Sequence, residues 1–189
     1  MSLKNIKMNN KFKKIYRIDT VRAKWWDYAA DGDYYITICT KDRICYFGNC
    51  INGQMILSNE GKLAAEILEL MPNQFENVKL GEFIVMPNHL HFVVSLSNNI
   101  ETFPQNIAQN IGGITKEKNP MLTSSLGTVL RWYKGRASFE IHKINAEFKW
   151  QPLYWDSIVI DSEKLDIIIE YIQKNPENWQ KDKFYIGNK

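Results

Sequence analysis

The chain has no apolar run of the ~18 residues that a membrane span requires, so no membrane partner is expected. Its first residues have no secretory apolar core, because Lys and Asn interrupt them throughout. That points to a cytoplasmic setting. Cysteine is scarce: Cys39, Cys45 and Cys50 are odd in number and lack C-x-x-C spacing, which indicates neither a disulfide framework nor a zinc ribbon. No internal repeat is visible. Histidine is confined to His89, His91 and His142. Acids are almost missing from residues 1–24, where Lys4, Lys7, Lys11, Lys13, Lys14, Arg17, Arg22 and Lys24 meet only Asp19.

What is present suffices for a core. The 189 residues are 44% apolar and 13% aromatic, which reads as one domain. The expected organisation is a basic N-terminal arm at 1–24, a single domain over 25–180 and a tail at 181–189. Within the domain, about 97–125 is rich in Asn, Ser, Thr, Gln, Gly and Pro and has little periodicity, so it reads as a long connection. Aromatics follow the arm at once. A basic arm beside stacking surfaces suits single-stranded nucleic acid, with Lys13, Lys14, Arg17, Arg22, Lys24, Trp25 and Trp26 as the contacts. A solvated tail running into core aromatics accounts for the same residues.

Pattern predicts strands at 34–40, 54–57, 78–86, 89–96 and 150–160, with 43–47 as a partner of the first. Asn52-Gly53 marks a hairpin turn. A helix is expected over 60–71, capped by Ser58 or Asn59 and stopped by Pro72. A second spans 126–144, and a third runs from a cap at Asp161 or Ser162 to about Lys174. The order predicts an α+β sandwich, an antiparallel sheet with helices packed on one face.

The most informative stretch is Met86-Pro87-Asn88-His89-Leu90-His91. Successive strand side chains alternate faces. His89 and His91 therefore share one face, while Leu90, Phe92, Val94 and Leu96 share the other. The pair is either two half-exposed sheet histidines or half of a metal site. In the third helix Leu165, Ile168, Ile169 and Ile172 form the apolar stripe, and Tyr171 falls on its flank. Asn175 is four residues on, so phenol and amide share a helix edge. Pro176 disfavours α geometry at Asn175.

A tyrosine can attack a DNA phosphodiester and conserve that bond's energy as phosphotyrosine. A divalent cation held by His89, His91 and Asn175 could polarise the phosphate. The alternatives are a packing tyrosine and a helix C-cap.

At this point the chain resembles the single-tyrosine HUH transposases, and within them the REP-associated tyrosine transposase branch. The resemblance rests on the histidine motif followed far downstream by Tyr171-Ile172-x-x-Asn175-Pro176. It extends to YYITICTKDR at 34–43, to Trp150-Gln151-Pro152 and to Tyr154-Trp155-Asp156. It implies a ferredoxin-like core with the histidines on a central strand. It implies Mg²⁺ or Mn²⁺ on His89, His91 and Asn175, with Tyr171 as nucleophile. The implied substrate is hairpin-bearing single-stranded DNA, cut to a 5′-phosphotyrosine and a free 3′-hydroxyl. Relatives work as monomers or as homodimers that exchange the tyrosine helix, and both fit.

Three positions depart from the pattern. Ser157 stands where the family usually places a histidine, and Ile160 and Pro152 stand where basic residues are common. A DNA-binding module that no longer cuts is therefore the alternative to an active strand transferase. Tyr133, among Arg131, Lys134 and Arg136, is the competing nucleophile; those three cations are also candidate DNA contacts. His142 reads as structural or solvated. Asp156 reads either as a support for a histidine or metal from behind, or as a surface carboxylate.

Overall fold

The computed structural model describes residues 31–97 and 125–187. In chain order the elements are β1 (Gly32–Cys39), β2 (Gly48–Ile51), β3 (Gln54–Leu57), α1 (Asn59–Glu69), α2 (Met71–Gln74), β4 (Val78–Met86), β5 (His89–Leu96), α3 (Leu126–His142), β6 (Trp155–Val159) and α4 (Ser162–Lys174). β4, β5, β1 and β6 lie side by side in that order, with every pairing antiparallel. β2 and β3 form a separate hairpin. Its turn puts Asn52 and Gly53 at φ 51° and 74°, the left-handed pair a two-residue hairpin turn requires. Without that hairpin the path reads β1, α1, β4, β5, α3, β6, the β-α-β-β-α-β order of a ferredoxin-like fold.

Alternation sorts the sheet into two faces. Tyr34, Ile36 and Ile38 of β1 join Leu90, Phe92, Val94 and Leu96 of β5 in the main core. α1 adds Ala64, Ile67 and Leu68, and α3 adds Leu126, Val129, Leu130, Tyr133, Ala137 and Ile141. α1 starts where expected because the Ser58 hydroxyl accepts from Gly61 N–H. α3 is capped in the same way by Ser125.

The expected α+β class with helices on an antiparallel sheet is what forms, but the helices are not confined to one face as expected. α1 and α3 cover one face, and α4 adds to the other. Its Ile168 and Ile172 are buried with Val93 and Val159, against Tyr35, Ile84 and Leu165. Asp161 caps α4 by accepting from Lys164 N–H at 2.7 Å.

Three local expectations are corrected. Residues 43–47 do not pair with β1, whose two edges are taken by β5 and β6. The chain instead turns through a 3₁₀ helix at Lys41–Arg43, with Asp42 and Arg43 at positive φ. The strand expected at 150–160 begins only at Trp155, because Pro152 and Leu153 (φ 66°) form a turn. Pro72 does not simply stop a helix: α1 ends at Glu69, and Pro72 opens the short α2, where its missing N–H costs nothing. Among the described residues no helix is long and apolar enough to cross a membrane.

Candidate active site

β5 is a central strand, and His89 and His91 sit on its far face from the main core, at 0% and 1% exposure. Asn88 fixes the first ring. Its Nδ2 donates to Arg43 O at 3.1 Å and to Phe184 O at 2.9 Å. Only an NH₂ group satisfies two carbonyls, so Oδ1 faces His89 Nδ1 at 2.9 Å and accepts its proton. His91 Nδ1 lies 2.7 Å from the Tyr35 hydroxyl and 2.9 Å from Thr37 Oγ1. With its proton on Nδ1, those oxygens accept it.

Both Nε2 atoms are then bare acceptors, buried and, among the described residues, without a hydrogen-bond partner, and so is Asn175 Oδ1. Such a group costs about 1–3 kcal/mol when unmatched. Burial first, and then Lys183 and Arg43, hold the His89 imidazole down at about 3. Burial and the neighbouring His89 hold His91 well below its ordinary value. Both rings are therefore neutral at physiological pH, the form that binds metals.

α4 supplies the other side. Asn175 is its C-cap, in αR geometry (φ −58°, ψ −43°) despite Pro176, and it is 2% exposed. Tyr171, one turn earlier, is 42% exposed. Its ring centroid lies 5.4 Å from His91 and 6.4 Å from Tyr35. Its hydroxyl donates to Asp182 Oδ2 at 3.2 Å, and Asn175 Nδ2 donates to the same oxygen at 3.4 Å. Burial, then the Asp182 carboxylate, push the phenol up to about 12.

Asp182 and Phe184 come from the segment expected as a tail. The ligand atoms of His89, His91 and Asp182 lie within 4.8 Å of one another, a group that could hold a metal ion. Asp182 Oδ1 accepts from Phe184 N–H at 2.6 Å. The buried Phe184 ring lies 4.6 Å from His89 and 5.8 Å from Trp155. Two imidazole nitrogens and a carboxylate suit a divalent cation, and the orphaned Asn175 Oδ1 belongs to the amide whose Nδ2 meets that carboxylate. Cys39, paired in register with His89, adds no thiolate: burial pushes it up to about 12.

No protein-family model matches the chain. An uncharacterized protein of Haemophilus influenzae is 31% identical over 173 residues, covering 91% of this chain and 95% of that protein. The chain belongs to that protein's family. A solved structure of a REP-associated tyrosine transposase bound to a REP hairpin is 14% identical to this family member, with a TM-score of 0.54 over 86% of this chain and 77% of that one. The two share a fold.

The remaining candidates in this family member fall in different places. Lys13, Lys14, Arg17, Arg22, Lys24, Trp25 and Trp26 lie outside the described residues. Arg131 lines a groove of about 650 Å³ beside Trp150 and Tyr154. Lys134 is tied down in that groove, donating to Gln151 O at 2.7 Å and Leu153 O at 2.9 Å. Arg136 pairs with Glu140 at 2.9 Å.

Two sequence readings are corrected here. Tyr133 is fully buried in the main core, and its hydroxyl donates to Ala64 O at 3.0 Å, so it cannot meet a substrate. Asp156 pairs in register with Ile36 and so sits on the core face, away from the histidines; period-two alternation gives the site face to Trp155 and Ser157. Ser157 lies beside Tyr35 and accepts from Lys164 Nζ of α4 at 3.3 Å. A cation thus reaches this position from another element. His142, expected to be structural or solvated, is exposed with its Nε2 2.8 Å from Phe148 O.

Sequence reasoning missed Asp182, Phe184, Tyr35 and Thr37. Tyr35 and Thr37 were findable as the site-facing residues of β1 once β1 is known to neighbour β5.

Proposed function

We propose that this protein is a transposase that nicks and rejoins single-stranded DNA through Tyr171, with Mg²⁺ or Mn²⁺ held by His89, His91 and Asn175 and with Asp182 beside them. The observation that carries the reading is the set of three buried, unpaired acceptors next to a half-exposed tyrosine. The fold shared with the REP-associated transposase supports it, and that structure's bound hairpin suggests hairpin-bearing single-stranded DNA as the substrate.

Tyr171 Oη forms a bond to phosphorus as the bond from phosphorus to the 3′ oxygen breaks. The phenol gives up its proton and the leaving oxygen gains one, which yields a 5′-phosphotyrosine and a 3′-hydroxyl. Attack by a 3′-hydroxyl on the phosphotyrosine reverses the step and rejoins a strand. The cation's contribution is to polarise the phosphate and offset charge in the transition state. Tyr35 and Asp182 hold the nucleophile's ring and hydroxyl in place, so that attack starts from a fixed position.

The test is strand cleavage of labelled hairpin oligonucleotides from sequence flanking the gene, in Mn²⁺ or chelator. Metal-dependent cleavage to a protein-linked 5′ end is expected. Binding without cleavage in either condition would instead establish a DNA-binding module that does not cut.

A further inference from the structure

Lys181-Asp182-Lys183 follows the tyrosine helix. A 3₁₀ turn at Trp179–Lys181 brings this segment back over the site face, where Trp179 and Phe184 are buried with Cys39 and Met86. Beside Tyr171 opens a cavity of about 510 Å³, walled by Tyr171, Asn175, Asp182, Lys181 and Lys183, with Ile167 on its apolar side. The carboxylate in this wall is already engaged, by Tyr171 and Asn175. Among the described residues neither lysine forms an ion pair. The wall of the cavity that holds the phenol therefore carries two lysines without an ion pair among the described residues, against one occupied carboxylate.

The backbone here is fixed from three directions. Arg43 donates to Lys183 O at 2.8 Å, Asn88 Nδ2 donates to Phe184 O at 2.9 Å, and Asp182 Oδ1 accepts from Phe184 N–H at 2.6 Å. Arg43 does this from a left-handed backbone, φ 57°, a conformation that persists where its surroundings impose it. The Lys183 ammonium lies 4.8 Å from the Phe184 ring centroid, and its charge reaches both histidines. A merely solvated tail needs none of these ties.

We propose that Lys181 and Lys183 form a phosphate seat, their ammonium groups holding the phosphodiester that Tyr171 attacks and one adjoining it. Lysine suits this as a compact point charge on a flexible stem. Arg43 and Asn88 act as positioning residues for the segment. The inference rests on the reading of Tyr171 as a nucleophile of DNA.

The experiment uses the full chain and a labelled single-stranded hairpin DNA, with wild type, the double variant Lys181→Gln/Lys183→Gln and the double variant Lys181→Arg/Lys183→Arg. Affinity is measured across a salt series in chelator. Adduct formation is measured in Mn²⁺ at saturating DNA, and Mn²⁺ affinity without DNA. For the Gln variant the slope of log affinity against log salt should shrink by roughly 0.7 for each lysine. Its adduct rate should fall at least tenfold with Mn²⁺ affinity not weakened, and the Arg variant should recover slope and rate. A Gln variant with wild-type slope and rate overturns the seat. Wild-type binding without an adduct overturns the nicking reading, and the slope in chelator still decides whether the lysines contact phosphate. Absence of wild-type binding overturns both.

Discussion

His89 and His91 differ from ordinary sheet histidines in what their Nδ1 atoms touch. Asn88 Oδ1 holds one, and Tyr35 with Thr37 holds the other, which turns both Nε2 atoms toward the site. Partners of this kind typically matter 10–100-fold to metal affinity. Asn88→Ala, which also frees Phe184 O and Arg43 O, should therefore weaken Mn²⁺ binding at least about tenfold by calorimetry.

Acid should expose the same pair. Their folded values are depressed, His89 to about 3, while the unfolded rings titrate near ~6.5. Below ~6.5 the unfolded chain binds the extra protons. The stability is therefore present above ~6.5 and is lost as pH falls toward about 3, by an amount on the order of a few kcal/mol. The charged and titratable groups around the rings are Arg43, Lys183, Asp182, Tyr35 and Tyr171. Urea midpoints in chelator should fall over that range in wild type, and much less in His89→Gln/His91→Gln. At this scale spacing put the histidines on one strand face and Tyr171 with Asn175 on one helix edge, as the structure has them; the roles proposed for them came from the family resemblance. The burial of Tyr133 was also on view, in the 126, 129, 130, 133, 137, 141 stripe it shares. Asp182 was not, because it follows a 3₁₀ turn with no period to mark it.

The elements were read best where a period and a cap agree. α4 carries Leu165, Ile168 and Ile172 behind an Asp161 cap, and β4 and β5 meet at Pro87-Asn88 as their alternation requires. The strand before α4 was overextended because the turn at 152–153 is held from outside, by Lys134 of α3. That ammonium is partly buried and is brought down to about 8 by desolvation. Lys134→Ala leaves the carbonyls of Gln151 and Leu153 without their donor, and should cost about 1–3 kcal/mol. Arg131→Ala, on the same helix but facing the open groove, should stay within about 0.5 kcal/mol while weakening DNA binding. Chemical denaturation beside a salt-dependent binding assay separates a structural cation from a contacting one.

At the scale of the molecule, one face of a four-stranded sheet is given to the main core, and the other carries a smaller packed cluster beside the His89, His91 and Asp182 group that could hold a metal ion. The α+β class followed from the order of elements. The strand order β4-β5-β1-β6 did not, because it depends on which strands pair across sequence gaps that no local pattern reports. That order brings Tyr35 and Thr37 against His91, and the segment after α4 closes the site.

The most direct test of the account is to find where DNA attaches. The full chain is reacted with hairpin-bearing single-stranded DNA in Mn²⁺, the adduct is trimmed with nuclease, and its peptides are sequenced by mass spectrometry. Nucleotide mass on Tyr171, and none in chelator, is the expected result. Nucleotide mass on any other residue, or an adduct that survives in Tyr171→Phe, would contradict it.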